Sequence, residues 1–354
     1  MNGIELARQL WADAVEPILS HRFPGLDAAA ALVGYGSEVL GFDDEISQDH
    51  HWGPRLFLFV RGDDLPQAGK IGDALATELP VDIAGVPTNF GPPGADGSRM
   101  PLAVEHGPVA HRVDVHTVST FMCSEIGFDP LEEIAVADWL VTPTQQLLRV
   151  TAGAVFSDPI GELTVAREAL RWYPHDVWLL AMAGEWRRVA QLEHLMGRAG
   201  DRGDELGSRL IGARLVEVLM RIGFLQARLY APYPKWFGSA YALLDRPEQQ
   251  ALEGALAAAS WPEREAALVD ALRAAATAHN ELAVTEPVDP EPRPFHGRVF
   301  RVLDAHRLVH ALREAIQDPD VRRIEHDAGA IDAVSTNGDL LTEPTLWRRL
   351  TSLY

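Results

Sequence analysis

The feature that most constrains the fold is a change of hydrophobic period partway along the chain. Up to about residue 158, apolar residues come in short runs (28–35, 55–61 and within 104–121) that end in Gly, Pro or charged residues. Such runs read as strands closed by turns. From Gly161 to Tyr230 the apolar residues recur at helical spacing instead, broken at Tyr173-Pro174-His175-Asp176 and at Gly200-Asp201-Arg202-Gly203-Asp204. The stretches Asp245–Leu282 and Phe300–Ile316 continue that pattern after a stop at Pro232-Tyr233-Pro234. There is no internal repeat and no low-complexity tract. The expectation is an α+β protein. Residues 1–158 form a mixed β-sheet with flanking helices, and residues 159–354 form a helical domain.

Local signals refine this outline. Gly3–Leu19 carries apolar residues at helical spacing and predicts an amphipathic helix, which Pro17 kinks or ends. The run Ala28–Tyr35 leads into Gly34-Tyr35-Gly36-Ser37, a strand followed by a tight turn, and Ser37 is placed to cap a short helix over Glu38–Gly41. Asp64–Glu78 predicts a helix, and the Gly- and Pro-rich stretch Asn89–Met100 a loop.

Composition excludes several functions. A net charge of −20 repels polyanions and leaves no basic footprint for duplex nucleic acid. The one cysteine, Cys123, allows neither an intramolecular disulfide nor a cysteine-based metal site. Met1–Pro24 lacks an uninterrupted apolar core, so it does not read as a signal peptide, and no run reaches eighteen apolar residues. The cytoplasm is the expected location. No Walker A motif, dinucleotide-binding glycine fingerprint or Gly-x-Ser-x-Gly elbow is present.

Three features of the first half fall together. A strand ends in Gly36-Ser37 at a helix start. An acidic loop leads to Asp49, just before the next strand. Asp114 lies inside a later strand, between Val113 and Val115. Nucleotidyl transfer needs such parts. Backbone amides at a helix start cradle a triphosphate. Hard carboxylate oxygens hold Mg²⁺ or Mn²⁺. A carboxylate near the acceptor takes its proton. Each residue also has a plainer role: Ser37 as a cap, Asp49 as a strand-entry residue, Asp114 on a solvated sheet face, and Arg55 as a strand-edge charge.

The order of these residues resembles the nucleotidyltransferase superfamily. Its pattern is an apolar residue, Gly-Ser, about ten residues, Asp-x-Asp, and a third carboxylate on a neighbouring strand. Within that superfamily the chain resembles the family called domain of unknown function 4037. The likeness rests on Gly36-Ser37-Glu38-Val39-Leu40-Gly41-Phe42, on Asp49-His50-His51-Trp52-Gly53-Pro54-Arg55, and on Tyr230-Ala231-Pro232-Tyr233-Pro234-Lys235-Trp236-Phe237-Gly238. It covers most of the chain to about residue 245, and it extends to aminoglycoside nucleotidyltransferases. The resemblance implies a nucleoside triphosphate donor and a small-molecule hydroxyl acceptor. It implies Gly36, Ser37 and Lys235 as nucleotide-binding residues, Asp49 and Asp114 as metal ligands, and Asp49 and Asp114 as catalytic; beside it, Arg55 is a candidate fork for donor phosphate and His51 a candidate metal ligand. It also makes Gly153–Asp158 a segment linking the two domains. The sequence departs from the pattern at His51, where a second carboxylate is expected. Three accounts are open: His51 binds a metal such as Mn²⁺, a carboxylate of Asp43, Asp44 or Glu45 substitutes, or the chain binds ligand without catalysing transfer. A protein-modifying, antitoxin-type transferase is a further alternative.

Overall fold

The computed structural model describes residues 2–44, 46–48, 52–95 and 97–354. The chain divides into two compact units, 1–134 with 146–171, and 135–145 with 172–354. The observed division therefore falls after residue 171 and assigns 135–145 to the second unit, whereas the sequence texture places one boundary near 158.

The first unit is built on a four-stranded mixed sheet. Its strands are β1 (Ala28–Leu32), β2 (Arg55–Val60), β3 (Arg112–His116) and β4 (Ala154–Ser157), in the spatial order β3-β2-β1-β4. β1 runs antiparallel to both its neighbours, while β2 and β3 are parallel. β4 lies in the segment that the resemblance makes an interdomain link. It is a strand, paired with β1 through Leu32↔Ala154 and Ala31↔Val155. Its four residues are half-buried, too short and too weakly alternating to stand out in sequence.

The sheet has two unlike faces, because side chains alternate along a strand. Ala28, Ala30, Leu56, Leu58, Val60 and Val113 face one core with the N-terminal helices. Those helices are α1 (Gly3–Leu10) and α2 (Glu16–Arg22), joined by a π-helical turn over Trp11–Val15. Pro17 therefore sits inside a continuous helical stretch, directly after the π-helical turn, and the helix runs on past it. Helix α3 (Ala68–Glu78) closes this core with Ile71 and Leu75. The other face carries Phe57 and Phe59. Both pack against Phe121 of α4 (Val118–Ile126), with ring centroids 5.0 and 5.3 Å apart. Helix α4 is fixed at its start by a capping box between Thr117 and Thr120 and closed by Gly127 at φ +81°.

The second unit is helical. A short helix α5 (Val136–Val141) precedes α6 (Thr144–Thr151), whose first two residues belong to this unit; α7 (Glu162–Ala169) belongs to the first unit. The long helices α8 (His175–Asp201) and α9 (Glu205–Ala227) pack on one another. They are followed by α10 (Pro234–Ala242), α11 (Gln249–Ala257), α12 (Trp261–Glu281) and α13 (His306–Ala315). The two breaks expected at 173–176 and 200–204 are the gaps before α8 and α9. Trp178 and Trp186 of α8 are fully buried, and Trp178 Nε1 donates to the Leu225 carbonyl at 2.8 Å. Among the described residues no helix is long and apolar enough to cross a membrane.

Candidate functional site

β1 runs out into the segment Gly34–Phe42, and its antiparallel pairing puts this end of β1 beside the first residues of β2. β2 and β3 start together, with Arg55 opposite Arg112. The turn and both arginines therefore share one end of the sheet. The short helix expected over Glu38–Gly41 is instead a set of consecutive turns. Leu40 N donates to Ser37 O, Gly41 N to Glu38 O (3.2 Å each), and Phe42 N to Ser37 O (2.9 Å). Gly34 (φ +82°), Gly36 (φ +120°) and Gly41 (φ +76°) bend the backbone too sharply for a helix to propagate. The Gly34 amide is anchored on the Arg149 carbonyl at 2.8 Å, and the Gly3 amide on Asp43 Oδ2 at 2.6 Å.

Beneath the turn lies a buried ion pair. Arg55 Nε and Nη2 donate to Glu38 Oε1, the former at 3.1 Å, and Nη2 also donates to the Tyr35 carbonyl. Both side chains are under 5% exposed. Arg55, expected to contact donor phosphate, has its Nε and Nη2 engaged inside the turn, on Glu38 and the Tyr35 carbonyl. The Arg55 guanidinium also lies 4.3 Å from the Tyr35 ring centroid. Gly36 and Ser37 hold the place in the turn that the sequence predicts, and Ser37 is 8% exposed.

Asp114 stands opposite Phe57 on the edge strand β3. The strand's burial alternates: Val113 is buried, while Asp114 is exposed. Asp114 has no protein partner among the described residues. Arg112 and His116 share its face by the two-residue period. His116 packs against Phe57 and Phe121, both at 5.9 Å between centroids. Arg112 Nη2 donates to the Tyr35 hydroxyl, and its guanidinium lies 5.9 Å from the Phe90 ring centroid. A second ion pair, Arg149 Nη2 to Glu125 Oε2 at 2.9 Å, lies beside Gly34, whose added Cβ would fall 3.7 Å from that carboxylate oxygen.

Asp49 and His51 lie outside the described residues. Among the described residues no cluster of three or more His, Cys, Asp or Glu is arranged to hold a metal ion. Lys235 lies in the second unit, exposed in the first turn of α10, with its ammonium 4.7 Å from the Trp236 ring centroid.

Sequence reasoning missed Glu38, Tyr35 and Arg112. Arg112 was within reach, since it stands two residues before Asp114 and must share its face. The Glu38–Arg55 pair, seventeen residues apart in sequence, carried no local signal.

Comparison with known proteins gives the following. The family model described as domain of unknown function 4037 matches residues 139–237. A solved structure, a nucleotidyltransferase-like protein from Exiguobacterium sibiricum 255-15, aligns over 80% of this chain and 82% of that one, at 14% identity and a TM-score of 0.36. No curated protein sequence matches.

Proposed function

We propose that this chain is a nucleotidyltransferase that moves a nucleoside monophosphate from a triphosphate to a hydroxyl of a small acceptor. The observation that carries this reading is Asp114: an exposed carboxylate without a protein partner among the described residues, on the strand whose start shares an end of the sheet with the Gly34–Phe42 turn. Unpaired carboxylates are common on surfaces. This one shares its face with Phe57 and His116 and lies two residues from an arginine that reaches the turn, which supports chemistry on a bound phosphate.

In this reading the turn around Gly36-Ser37 binds the donor's phosphates with backbone amides. The acceptor oxygen attacks the α-phosphorus. The bond from that phosphorus to the leaving oxygen breaks, and pyrophosphate departs. The acceptor's proton passes to a carboxylate, for which Asp114 is placed. Asp114 offers a hard oxygen of the kind Mg²⁺ or Mn²⁺ prefers, and Asp49 and His51 would complete its donor set. Bound there, such a cation would neutralise phosphate charge. A second reading, a ligand-binding protein of the same build without transfer activity, is favoured by His51 at the position of the second carboxylate.

The test measures nucleotide binding by calorimetry and pyrophosphate release, with Mg²⁺ and with Mn²⁺, for the wild type and for Asp114→Asn. Turnover in the wild type, lowered about 10²–10⁴-fold in the variant, is the expected result. Binding without turnover selects the second reading, and release only on addition of a protein acceptor selects protein modification. Equal turnover in both proteins removes Asp114 from the chemistry and sinks the assignment.

A further inference from the structure

We infer that Arg112 is the residue that grips the donor's phosphates, an assignment that rests on the transferase reading above. The argument starts from charge. Arg55 and Arg112 are direct cross-strand neighbours at the start of β2 and β3. Like charges so placed repel unless each is compensated. Arg55 is compensated by buried Glu38. Arg112 has no carboxylate within ion-pair reach among the described residues, although the protein carries twenty more acidic than basic side chains. The trio of Arg55, Glu38 and Arg112 thus keeps one net positive charge beside a turn of backbone amides.

Geometry then points that charge at the site. Arg112 is half-buried between the Tyr35 hydroxyl, which takes one of its N–H groups, and the Phe90 ring. These contacts hold the guanidinium in place while leaving donors of its five-N–H fork for a ligand. A planar fork suits a phosphate, which it can meet with two parallel hydrogen bonds. Asp114 follows two residues later on the same face, about 7 Å along the strand. That spacing sets an anion grip and a carboxylate side by side along one substrate. Arg112, fixed by a residue of the turn itself, takes the part that the sequence assigned to Arg55.

Calorimetry of the full chain with inorganic pyrophosphate and with ATP, each with Mn²⁺, tests the assignment in the wild type, Arg112→Gln and Arg112→Lys. Arg112→Gln is expected to weaken both ligands about 10–100-fold, the worth of a charge-assisted hydrogen bond. Arg112→Lys, which keeps the charge but loses the fork, is expected to recover part of that loss and guards against a folding defect in the first variant. Raising the salt should weaken wild-type binding more than it weakens binding to Arg112→Gln. If the wild type binds and both variants match it, Arg112 is a structural strut and only this inference fails. If the wild type binds neither ligand, the transferase reading fails and takes this one with it.

Discussion

Gly36 sits where two demands meet. Its φ of +120° lies in the region that favours glycine, and a Cβ there would fall 2.4 Å from both Arg55 Nη2 and Glu38 Oε2. Those atoms belong to a buried ion pair and cannot swing aside without leaving a charge unpaired. Gly36→Ala is therefore expected to destabilise the protein by about 1–3 kcal/mol through backbone strain alone, and to loosen the turn. Urea denaturation reads the first effect, and nucleotide affinity the second. A variant as stable and as tight-binding as the wild type would show that the turn does not depend on this contact. At this scale the sequence was partly legible. Gly36, Ser37 and Asp114 stand in the turn and strand that their neighbours imply. In sequence, a strand-leading arginine such as Arg55 looks the same whether it faces a ligand or a buried glutamate. Only the fold brings Glu38 under it.

Elements divide by how much of their shape is local. α8 and α9 were legible because long amphipathic runs, broken by proline at 174 and by glycines at 200 and 203, repeat the same signal many times. β4 was not, because four residues carry almost no periodicity and its partner β1 lies more than a hundred residues upstream. The turn after β1 was read as a helix because Ser before Glu is a capping signal, while three positive-φ glycines outweighed it. A comparable non-local constraint acts on α8. Gly184 faces Gly329 backbone to backbone, and a Cβ at 184 would lie 2.4 Å from the Gly329 Cα. Helix interiors ordinarily gain from Gly→Ala. Here Gly184→Ala is expected to cost about 1–3 kcal/mol, the usual penalty for overpacking, and to push the 328–330 segment away from α8. Denaturant midpoints settle the sign: a stabilised Gly184→Ala would mean that the segment yields freely.

For the molecule as a whole, two buried groups of the second unit give opposite answers to pH. Glu193 on α8 accepts the amides of Leu303, Asp304 and Ala305 at 2.7–3.2 Å and so holds the segment that leads into α13, yet burial pushes its carboxyl from 4.5 up to about 7. The folded protein thus binds a proton there that the unfolded chain has already released. That stabilisation is full below pH 4.5 and is lost as the pH rises through 7. His279 on α12, against Trp186, is pushed by burial from 6.5 down to about 4. Its contribution is full above pH 6.5 and is lost as the pH falls toward 4. Each shift is worth on the order of 3 kcal/mol at its limit. Between pH 4.5 and 6.5 the two slopes oppose, so these groups together leave wild-type stability nearly flat. Glu193→Gln keeps an acceptor for these amides but cannot ionise, and is expected to leave stability rising with pH across that window. His279→Gln is expected to leave it falling. Urea denaturation at half-unit pH steps resolves the three curves. Variant slopes identical to the wild type would mean that neither buried group titrates with folding.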